Sequence, residues 1–432
     1  MTAAPSLAET TAPPSLAAPD RLRPQPHGRL LLVTAVRLRR GPNGLQLDSQ
    51  TCAGICRWAE HFNHVAFAGI LLETEQEDGT TADWVDVASL PCAAQLTFHA
   101  LPMAYRVGAF ARTYRATRKL LADAIRQADS LCFTLGYVIG DWAAIAALEA
   151  HAQGRRYAVW FDRVEHEVIR NLLPSLPLKR RFKEQAMLLA MGPYHRLLTR
   201  RSSLALLQGM DTFNAYARSS ANPACVYDVH TLAEDFASAP AIAEKIARIE
   251  SGAPLRLVYI GRAAEMKGPI DWLEAIAGAR SRGVELEAEW LGDGPLLAAM
   301  RQRATALGIA DCISFAGHVG DREVVLSRMR QADIFLFCHK TPESPRCLIE
   351  ALVCACPIVG YAGAYPAGLL ARGGGGLLSP LNDPAALADA LARLHGDREG
   401  LAHLVREAAA TGRCFDEEKL YGERAALIAA HG

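Results

Sequence analysis

Short apolar runs alternate with segments of helical periodicity in the first half of the chain. The first run, Arg29–Val36 (RLLLVTAV), is continuous rather than alternating, which is typical of a strand buried on both faces of a parallel sheet. Gly41–Gly44 (GPNG) then predicts a turn, and a helix is predicted from about Asp48 to Phe62. The alternation continues with strands at His64–Leu72, Ser130–Leu135 and Tyr157–Phe161 and a helix at Ala143–Gln153.

A second alternating series begins at Leu255–Ile260 (LRLVYI). Strand–helix alternation favours parallel sheets covered by helices. The predicted architecture is therefore α/β, with two doubly wound domains that face each other across a cleft, and ligands are expected at the carboxyl ends of the strands. The predicted strands of this series are Leu286–Leu291, Cys312–Phe315, Ile334–Phe337, Pro357–Tyr361 and Gly376–Leu378, and its helices are Pro269–Ser281, Pro295–Leu307, Arg322–Gln331, Arg346–Val353 and Pro384–Leu394.

The length of 432 residues also favours two domains, because single cores seldom grow so large. Residues 1–28 are rich in Ala, Pro, Ser and Thr and lack the charged start and apolar core of a signal peptide, so they are predicted as a flexible tail. The alternation pauses in a polar stretch at residues 215–253, which we predict as the connector. The domains are then 29–214 and 254–414, and residues 415–432 are predicted as a helix that packs back toward the N-terminal domain.

Composition adds several exclusions. Hydrophobic residues make up 50% and charged residues 21%, as in globular proteins, and the formal net charge of +0 gives no general attraction to nucleic acid. The first half is slightly more basic than the second, which fits an anionic substrate or membrane and fits ordinary scatter equally well. No apolar run predicts a membrane span, and the cysteine spacing fits neither a metal site nor a disulfide framework. Reduced thiols in a cytoplasmic protein are expected.

Three glycine-containing motifs fall where strands of the second series end. In Gly261–Gly268 (GRAAEMKG), Arg262 and Lys267 leave the strand end together and either converge on one diphosphate or are solvated loop cations. Gly292 opens the tight turn GDGP, and the absence of a third glycine argues against a dinucleotide cofactor. Gly317 ends the run FAG, which either opens backbone polar groups to a flat base or is an ordinary strand exit.

The fourth strand end is the richest in candidate chemistry. The apolar strand Ile334–Phe337 runs into the loop CHKTPESPR, in which Pro345 favours a helix start. Free N–H groups around Arg346–Leu348 are then expected to point at an anion, aided by the helix dipole. Glu350, one turn into the helix, is placed to accept hydrogen bonds from ribose, and Glu343 in the loop to meet sugar hydroxyls. Alternatively, the two are a helix-start carboxylate and a surface carboxylate.

These four motifs, taken in order, resemble the donor domain of GT-B glycosyltransferases of family 4 (glycosyl transferases group 1). The motifs are G-R-x-x-x-x-K-G, G-x-G-P, F-x-G and the two glutamates before Ala351, and the resemblance covers about residues 255–395. The resemblance implies two Rossmann-like domains around a cleft and sugar transfer with retention, without a metal or cofactor, the nucleotide-sugar being a co-substrate. It implies that Arg262 and Lys267 contact the donor diphosphate, Glu350 the ribose and Glu343, as a catalytic residue, the transferred sugar. The other donor-binding residues that it implies are Gly292, Gly317, Ser344, Arg346, Cys347 and Leu348.

The sequence departs from this family pattern in three places. Six residues separate Glu343 from Glu350, where the family usually has seven. Ser-Pro-Arg at 344–346 replaces the usual Pro-Phe-Gly, so Arg346 either adds a phosphate contact or blocks a pocket. Residues 362–366 (AGAYP) stand where the family has Gly-Gly-x-x-Glu, although Gly373–Gly376 matches its later glycine turn. Donor binding is still expected, and the identity of the donor sugar stays open.

The first domain offers fewer candidates. Gly41 and Gly44 resemble the glycine-containing first loop that lies over the cleft in this family. The strand Tyr157–Phe161 delivers Asp162 and His166 to a strand end, roughly where the family often has a His or Asp beside the reacting centre. A polar group there binds a sugar hydroxyl or stabilises the charged transition state, and the alternative for His166 is a structural role.

The stretch Leu178–Ser202 mixes basic clusters with apolar residues. One interpretation is an amphipathic surface that docks on anionic lipid. The other is a core-facing helix with a solvated basic face, whose periodicity is interrupted at Gly192 and Pro193.

The leading hypothesis is a retaining hexosyltransferase that uses a UDP- or GDP-sugar to extend a glycan or lipid-linked acceptor, as in bacterial surface polysaccharide biosynthesis. It is expected in the cytoplasm, with peripheral contact at the inner face of the membrane as one possibility, and without a nucleic-acid partner. Two alternatives stay open. One is a catalytically inactive nucleotide-sugar sensor or scaffold, and the other is a sugar-nucleotide epimerase, which needs acid and base groups that the sequence does not single out.

Overall fold

The computed structural model describes residues 26–72, 83–173 and 176–432. The predicted tail, residues 1–28, lies outside these ranges except for residues 26–28. The first strand begins at His27, which is one of these three residues. None of the helices in these ranges combines the length and apolarity that crossing a bilayer requires. Each of the eleven cysteines is a free thiol.

Two sheets, each flanked by helices, form the body of the molecule. The elements of the N-terminal half are β1 His27–Gly41, β2 Gly44–Asp48, α1 Ser49–His61, β3 Phe62–Leu71, β4 Trp84–Asp86, β5 Leu96–Pro102, α2 Val107–Gln127, β6 Ser130–Thr134, α3 Trp142–Ala152, β7 Ala158–Phe161, α4 Glu165–Leu172, α5 Leu178–Arg201, β8 Leu204–Gln208, α6 Gly209–Tyr216 and β9 Pro223–Val226.

The second half continues the strand–helix alternation and ends in three helices. Its elements are α7 Ala239–Glu250, β10 Leu255–Ile260, α8 Pro269–Ser281, β11 Leu286–Leu291, α9 Leu297–Ala306, β12 Ile313–Gly317, α10 Arg322–Gln331, β13 Ile334–Phe337, α11 Arg346–Val353, β14 Ile358–Tyr361, α12 Ala364–Leu370, β15 Gly376–Ser379, α13 Pro384–Gly396, α14 Arg398–Gly412 and α15 Glu417–His431.

The N-terminal sheet is wound around β1. Its parallel strands lie in the order β5-β3-β1-β6-β7-β8-β9, and Leu31 of β1 pairs with Ala66 of β3 on one side and Leu131 of β6 on the other. All three of these side chains are buried, as the continuous apolar run predicts. Beyond the parallel part, β1 extends into an antiparallel hairpin with β2, which carries β4 on its outer side.

The C-terminal sheet repeats this winding with six parallel strands in the order β12-β11-β10-β13-β14-β15. The strand order reverses between β10 and β13, where Leu257 pairs with Ile334. In doubly wound sheets, such a reversal leaves a crevice at the carboxyl ends of the two strands, and ligands bind there. The loops that follow β10 and β13 are those that carry Lys267 and Glu343.

The predicted division of the chain differs from the structure in the stretch 215–253. This stretch contains β9, which pairs in parallel with β8 through Leu206 and Ala224, so the N-terminal sheet extends past residue 214. It also contains α7, which packs against α14 of the C-terminal half. The reason is that β9 is only four residues long and is bordered by polar residues, so its apolar pattern is too short to stand out.

Two helices shape the outside of the N-terminal domain. Helix α15 crosses back to it, with the ring of Tyr421 lying 5.1 Å from that of Trp58 and with Arg156 donating to the Ala430 carbonyl at 2.8 Å. Helix α5 runs unbroken through Pro193, so the interrupted periodicity at Gly192 and Pro193 does not end the helix.

Candidate functional site

The three glycine motifs of the second domain meet at one edge of its sheet. The Gly261 N–H donates to the Leu291 carbonyl at 2.9 Å, and the Gly292 N–H donates to the Gly317 carbonyl at 2.7 Å. Gly292 has φ +145°, and a Cβ there would lie 2.0 Å from the Gly261 carbonyl oxygen. Only glycine permits this approach, so the loops after β10, β11 and β12 form one continuous surface.

The loop after β10 is also held against the loop after β13. Gly268 has φ +60°, and a Cβ there would lie 2.2 Å from the Cys338 carbonyl oxygen. In addition, the Lys340 N–H donates to the Met266 carbonyl at 2.9 Å. The crevice at the strand reversal is thus walled by these two loops.

An ion pair joins the two walls, because Lys267 donates from Nζ to Glu343 Oε2. Both side chains are partly buried, with 17% and 24% of their surfaces exposed. Arg262, in the same loop as Lys267, is exposed and forms no ion pair with any residue in the described ranges. The structure therefore brings Lys267 together with Glu343 and leaves Arg262 available at the rim.

A tyrosine and a histidine form the floor under this pair. The hydroxyl of Tyr259 and Nε2 of His339 are 2.8 Å apart. Burial, together with the charge of Lys267, lowers the pKa of His339 well below its usual range, so the imidazole is neutral near pH 7. Sequence reasoning did not select His339, although a polar residue directly after the apolar strand β13 was the available signal.

Glu350 is held by a cation that the sequence also did not single out. Arg322, the first residue of α10, donates from Nη1 to Glu350 Oε1 at 3.2 Å. Its Nη2 donates to Asp235 Oδ2 at 2.6 Å and to the His230 carbonyl at 2.8 Å. Because Arg322 is bonded on three sides, it fixes the Glu350 carboxylate and links it to the segment between the domains.

At the start of α11, the prediction of free N–H groups around Arg346–Leu348 does not hold for Leu348. The Leu348 N–H donates to the Pro345 carbonyl at 3.2 Å and its side chain is buried, so the first turn is closed on itself. Cys347 lies behind this turn, where burial raises the pKa of its thiol to about 12. The Leu348 N–H is therefore bonded within the helix, and the Cys347 thiol is protonated near pH 7.

Ser344 and Arg346 reach across to the N-terminal domain instead. The Ser344 hydroxyl donates to the Gln208 carbonyl at 3.3 Å, and Arg346 donates to Gln50 Oε1 at 2.9 Å. Next to them, Gly209 has φ +71°, and a Cβ there would lie 2.4 Å from the ring of Tyr365. The AGAYP segment, which begins α12, thus packs closely against α6 of the other domain.

On the N-terminal side, His166 belongs to a buried aromatic cluster. Its Nδ1 lies 3.3 Å from the Tyr216 hydroxyl, which lies 3.3 Å from Nδ1 of the fully buried His195. Burial lowers the pKa of His166, and it lowers that of His195 to about 4. Among the described residues, His166 has no hydrogen bond to the C-terminal domain.

Asp162 lies at the end of β7, facing the segment between the domains. Its side chain reaches solvent, but the surrounding walls reduce its hydration and the nearby carboxylate of Asp228 repels it, which raises its pKa to about 6. Asp162 is thus a carboxyl group that takes up a proton under mildly acidic conditions. The structure places it near Asp228.

Gly41 and Gly44 face each other across the turn of the β1–β2 hairpin. The hairpin is tied outward to β4, since Asn43 and Gln46 donate to the two carboxylate oxygens of Asp86 at 2.8 and 2.6 Å. The cavity between the domains, of about 270 Å³, is lined by other residues, and neither glycine is among them. The residues that line this cavity include Asp48, Gln50, Trp58, Asp228, His230 and Arg346.

Comparison with known proteins agrees with this layout. Residues 254–397 match the family model described as glycosyl transferases group 1. The chain is 28% identical over 187 residues to the colanic acid biosynthesis glycosyltransferase WcaL of Salmonella typhimurium, which covers 41% of this chain and 45% of WcaL. It is 30% identical over 146 residues to the 2-deoxystreptamine N-acetyl-D-glucosaminyltransferase of Streptomyces fradiae, and this match covers 33% of this chain and 34% of that enzyme. The chain therefore spans less than half the length of these curated relatives.

A solved structure extends the likeness to nearly the whole chain. The crystal structure of Anabaena Alr3699/HepE in complex with UDP superposes with a TM-score of 0.62 at 14% identity, covering 93% of this chain and 99% of that one. At this identity the likeness concerns the fold alone. It confirms the prediction of a GT-B fold, with two Rossmann-like domains across a cleft.

Proposed function

We propose that this protein is a retaining glycosyltransferase. The premise is that residues 254–397 match the family model of glycosyl transferases group 1 and lie within a GT-B fold. It moves a hexose from a UDP- or GDP-sugar to a glycan or glycolipid acceptor. The observation that carries the proposal is the Lys267–Glu343 pair, set at the strand reversal where the loops after β10 and β13 meet. The names of relatives such as WcaL support a role in surface polysaccharide biosynthesis.

In this proposal the donor diphosphate lies over the joined glycine loops. Arg262 and Lys267 supply positive charge on one wall, and the bare backbone at Gly292 and Gly317 allows the nucleotide to lie against the sheet edge. Glu350 accepts hydrogen bonds from the ribose hydroxyls, in an orientation fixed by Arg322. Arg262 and Lys267 provide the charge compensation that the leaving diphosphate needs, without a bound metal ion or cofactor.

The ion pair between the walls changes partners when the donor binds. Lys267 turns from Glu343 to the diphosphate, which carries more negative charge than one carboxylate. Glu343 is then free to accept hydrogen bonds from the hydroxyls of the transferred hexose. The exchange also reduces electrostatic repulsion. Two carboxylates beside a diphosphate repel it unless cations lie between them.

The transfer step breaks the bond from C1 of the hexose to the diphosphate and forms a bond from C1 to an acceptor oxygen. The acceptor proton passes to the departing phosphate oxygen, so no side-chain nucleophile is needed. Asp162 and His166 serve the N-terminal side, where His166 donates to a hexose hydroxyl and Asp162 orients the acceptor. The neutral state of His166, favoured by its lowered pKa, suits a hydrogen-bonding role rather than that of a fixed cation.

The test is nucleotide release from a panel of UDP- and GDP-sugars, with Lys267→Ala and Glu350→Ala as variants. We expect slow release from one donor by the parent protein and about 100-fold weaker donor binding in each variant, as for loss of a charged contact to phosphate or ribose. Arg328→Ala, which removes an exposed arginine of α10 that pairs with Glu289 of β11, is the matched control and should bind as the parent does.

Two outcomes would assign the protein to another class. Tight donor binding without release from any nucleotide-sugar, in the presence of candidate acceptors, would identify a sensor or scaffold. Conversion of the bound sugar with its nucleotide still attached would identify an epimerase. Donor binding that survives both substitutions would show that the site itself is misassigned.

A further inference from the structure

Helix α5 has two halves in different surroundings. In the second half, residues 191–201, Met191, His195 and Leu198 are buried in the domain. The first half, residues 178–190, contains no buried residue, although it carries several large apolar side chains. The exposed fractions are 71% for Leu178, 72% for Phe182 and 81% for Leu189.

These three side chains lie on one line along the helix. At about 100° per residue, Leu178, Phe182 and Leu189 fall within roughly 40° of one another. Lys179 and Lys183 follow one side of this stripe, and the exposed Arg181 follows the other. The first half of α5 is therefore an apolar stripe bordered by cations, which we call the basic stripe face.

The basic stripe face points away from the domain. Glu184 accepts a hydrogen bond from the Tyr137 hydroxyl at 2.7 Å, which marks the side of α5 that faces the protein. By the same helical geometry, Glu184 lies roughly 140° around the helix from the stripe. Tyr137 follows the carboxyl end of β6, so the face lies at the cleft-side edge of the N-terminal sheet.

We propose that the basic stripe face is a docking surface for an anionic membrane, with Leu178, Phe182 and Leu189 inserted among the lipid headgroups. A helix that exposes apolar side chains between cations matches the interface of an anionic bilayer, where both kinds of group are stabilised. A second copy of the chain is a poorer occupant, because pairing two such faces would bring like charges together. Three side chains also fall short of the roughly 800 Å² that a stable protein interface buries on each partner.

Sedimentation of the full-length chain with lipid vesicles tests this proposal. We expect binding to vesicles of phosphatidylcholine mixed with phosphatidylglycerol, weakening at high salt, and little binding to phosphatidylcholine alone. Lys179→Gln combined with Lys183→Gln should weaken binding by about 25-fold, at roughly fivefold per cation. Phe182→Ser should weaken it by at least about tenfold. All of these side chains are exposed, so the variants should unfold at the parent's temperature.

Matched changes elsewhere on the surface serve as controls. Leu381→Ser removes an exposed apolar side chain, and Arg406→Gln with Lys419→Gln removes two exposed cations; none of them should alter vesicle binding. Equal binding by the parent and the α5 variants, or no binding to the mixed vesicles, would overturn the proposal. So would a dimer in solution that Phe182→Ser dissociates, because the occupant would then be a second copy. Nucleotide release is measured without vesicles, so either result leaves the proposed transferase activity to its own test.

Discussion

The two domains share one winding order but differ in what they place at the carboxyl ends of their strands. In the C-terminal domain these ends are glycines in close backbone contact, with Lys267, Glu343 and Glu350 standing above them. In the N-terminal domain the corresponding ends carry the aromatic cluster around Tyr216 and the exposed carboxyl group of Asp162. The same scaffold thus carries close-packed glycine loops with charged side chains in one half and a wall of aromatic rings in the other, so the two halves differ in their loops rather than in their winding.

The largest effect is expected where the glycine contacts of the C-terminal domain are disturbed. Gly292→Ala puts a methyl group 2.0 Å from a backbone oxygen, at a φ of +145° that alanine rarely adopts. We expect a loss of more than about 3 kcal/mol in the free energy of unfolding, measured by urea denaturation. Gly44→Ala in the N-terminal hairpin is the matched control, since its φ is +124° but no atom lies within 4 Å of the new methyl group. It should cost only about 1–2 kcal/mol. Equal losses would mean that the close backbone contact is not what requires glycine.

The next effect concerns the aromatic cluster of the N-terminal domain and appears on acidification. Burial lowers the pKa of His195 to about 4, while in the unfolded chain it is near 6.5. The unfolded state therefore binds the proton first, so this contribution is complete above pH 6.5 and is lost as the pH falls to about 4. The loss approaches about 3 kcal/mol in the free energy of unfolding.

His195→Asn removes this titration and should flatten the fall of the unfolding temperature between these pH values. His403, which is exposed on α14, provides the control, and its replacement by Asn should leave the slope nearly unchanged. An unaltered slope in His195→Asn would show that another group causes the acid sensitivity.

The smallest effect tests how the C-terminal domain orients Glu350, the carboxylate proposed to bind the ribose. Arg322→Ala releases Glu350 on one side, and because Arg322 is partly exposed we expect roughly fivefold weaker UDP binding by calorimetry. The preference for UDP over 2′-deoxy-UDP should fall as well, which a purely structural role would not cause. If affinity drops while that preference is kept, Glu350 does not meet the ribose.

The same contrast explains how much could be predicted from the sequence. The strands β10, β11 and β13 and the helices α8, α10 and α11 match their predicted bounds. β13 is a continuous apolar run, as expected of a strand buried on both faces of a parallel sheet, whereas β11 alternates apolar and acidic residues over its first four positions. In the N-terminal half, β5 and α2 have no predicted counterpart. β5 (LTFHALP) mixes polar residues into its run, so it lacks a simple apolar pattern. The buried positions of α2, which are Thr117, Leu121, Ala124 and Ile125, do follow helical spacing, so the sequence carried a signal for this helix that the prediction did not use.

Within the candidate site, sequence spacing predicted which side chains lie at the ends of strands. It did not predict which of these side chains contact residues that are distant in the sequence. Lys267 and Glu343 were both selected, yet their direct pairing depends on the reversal of strand order. Arg322 reaches Glu350 from a helix start 28 residues away, which local spacing does not reveal. Leu348 was expected to offer a free N–H, but the helix closed its first turn on Pro345.

The return of α15 to the N-terminal domain has a consequence for how the protein is made. Its Tyr421 and Arg424 pack on Trp58 and Trp160, so one face of a domain begun at residue 27 is completed only by residues 417–431. During synthesis on a ribosome, the N-terminal half therefore emerges with Trp58 and Trp160 uncovered. They stay uncovered until the residues of the C-terminal half up to α15 have been synthesised. At about 5–20 residues per second, this interval lasts on the order of ten seconds or more. The synthesis of α15 is thus also the step that covers this face and shields Trp58 and Trp160 from chaperones and from aggregation.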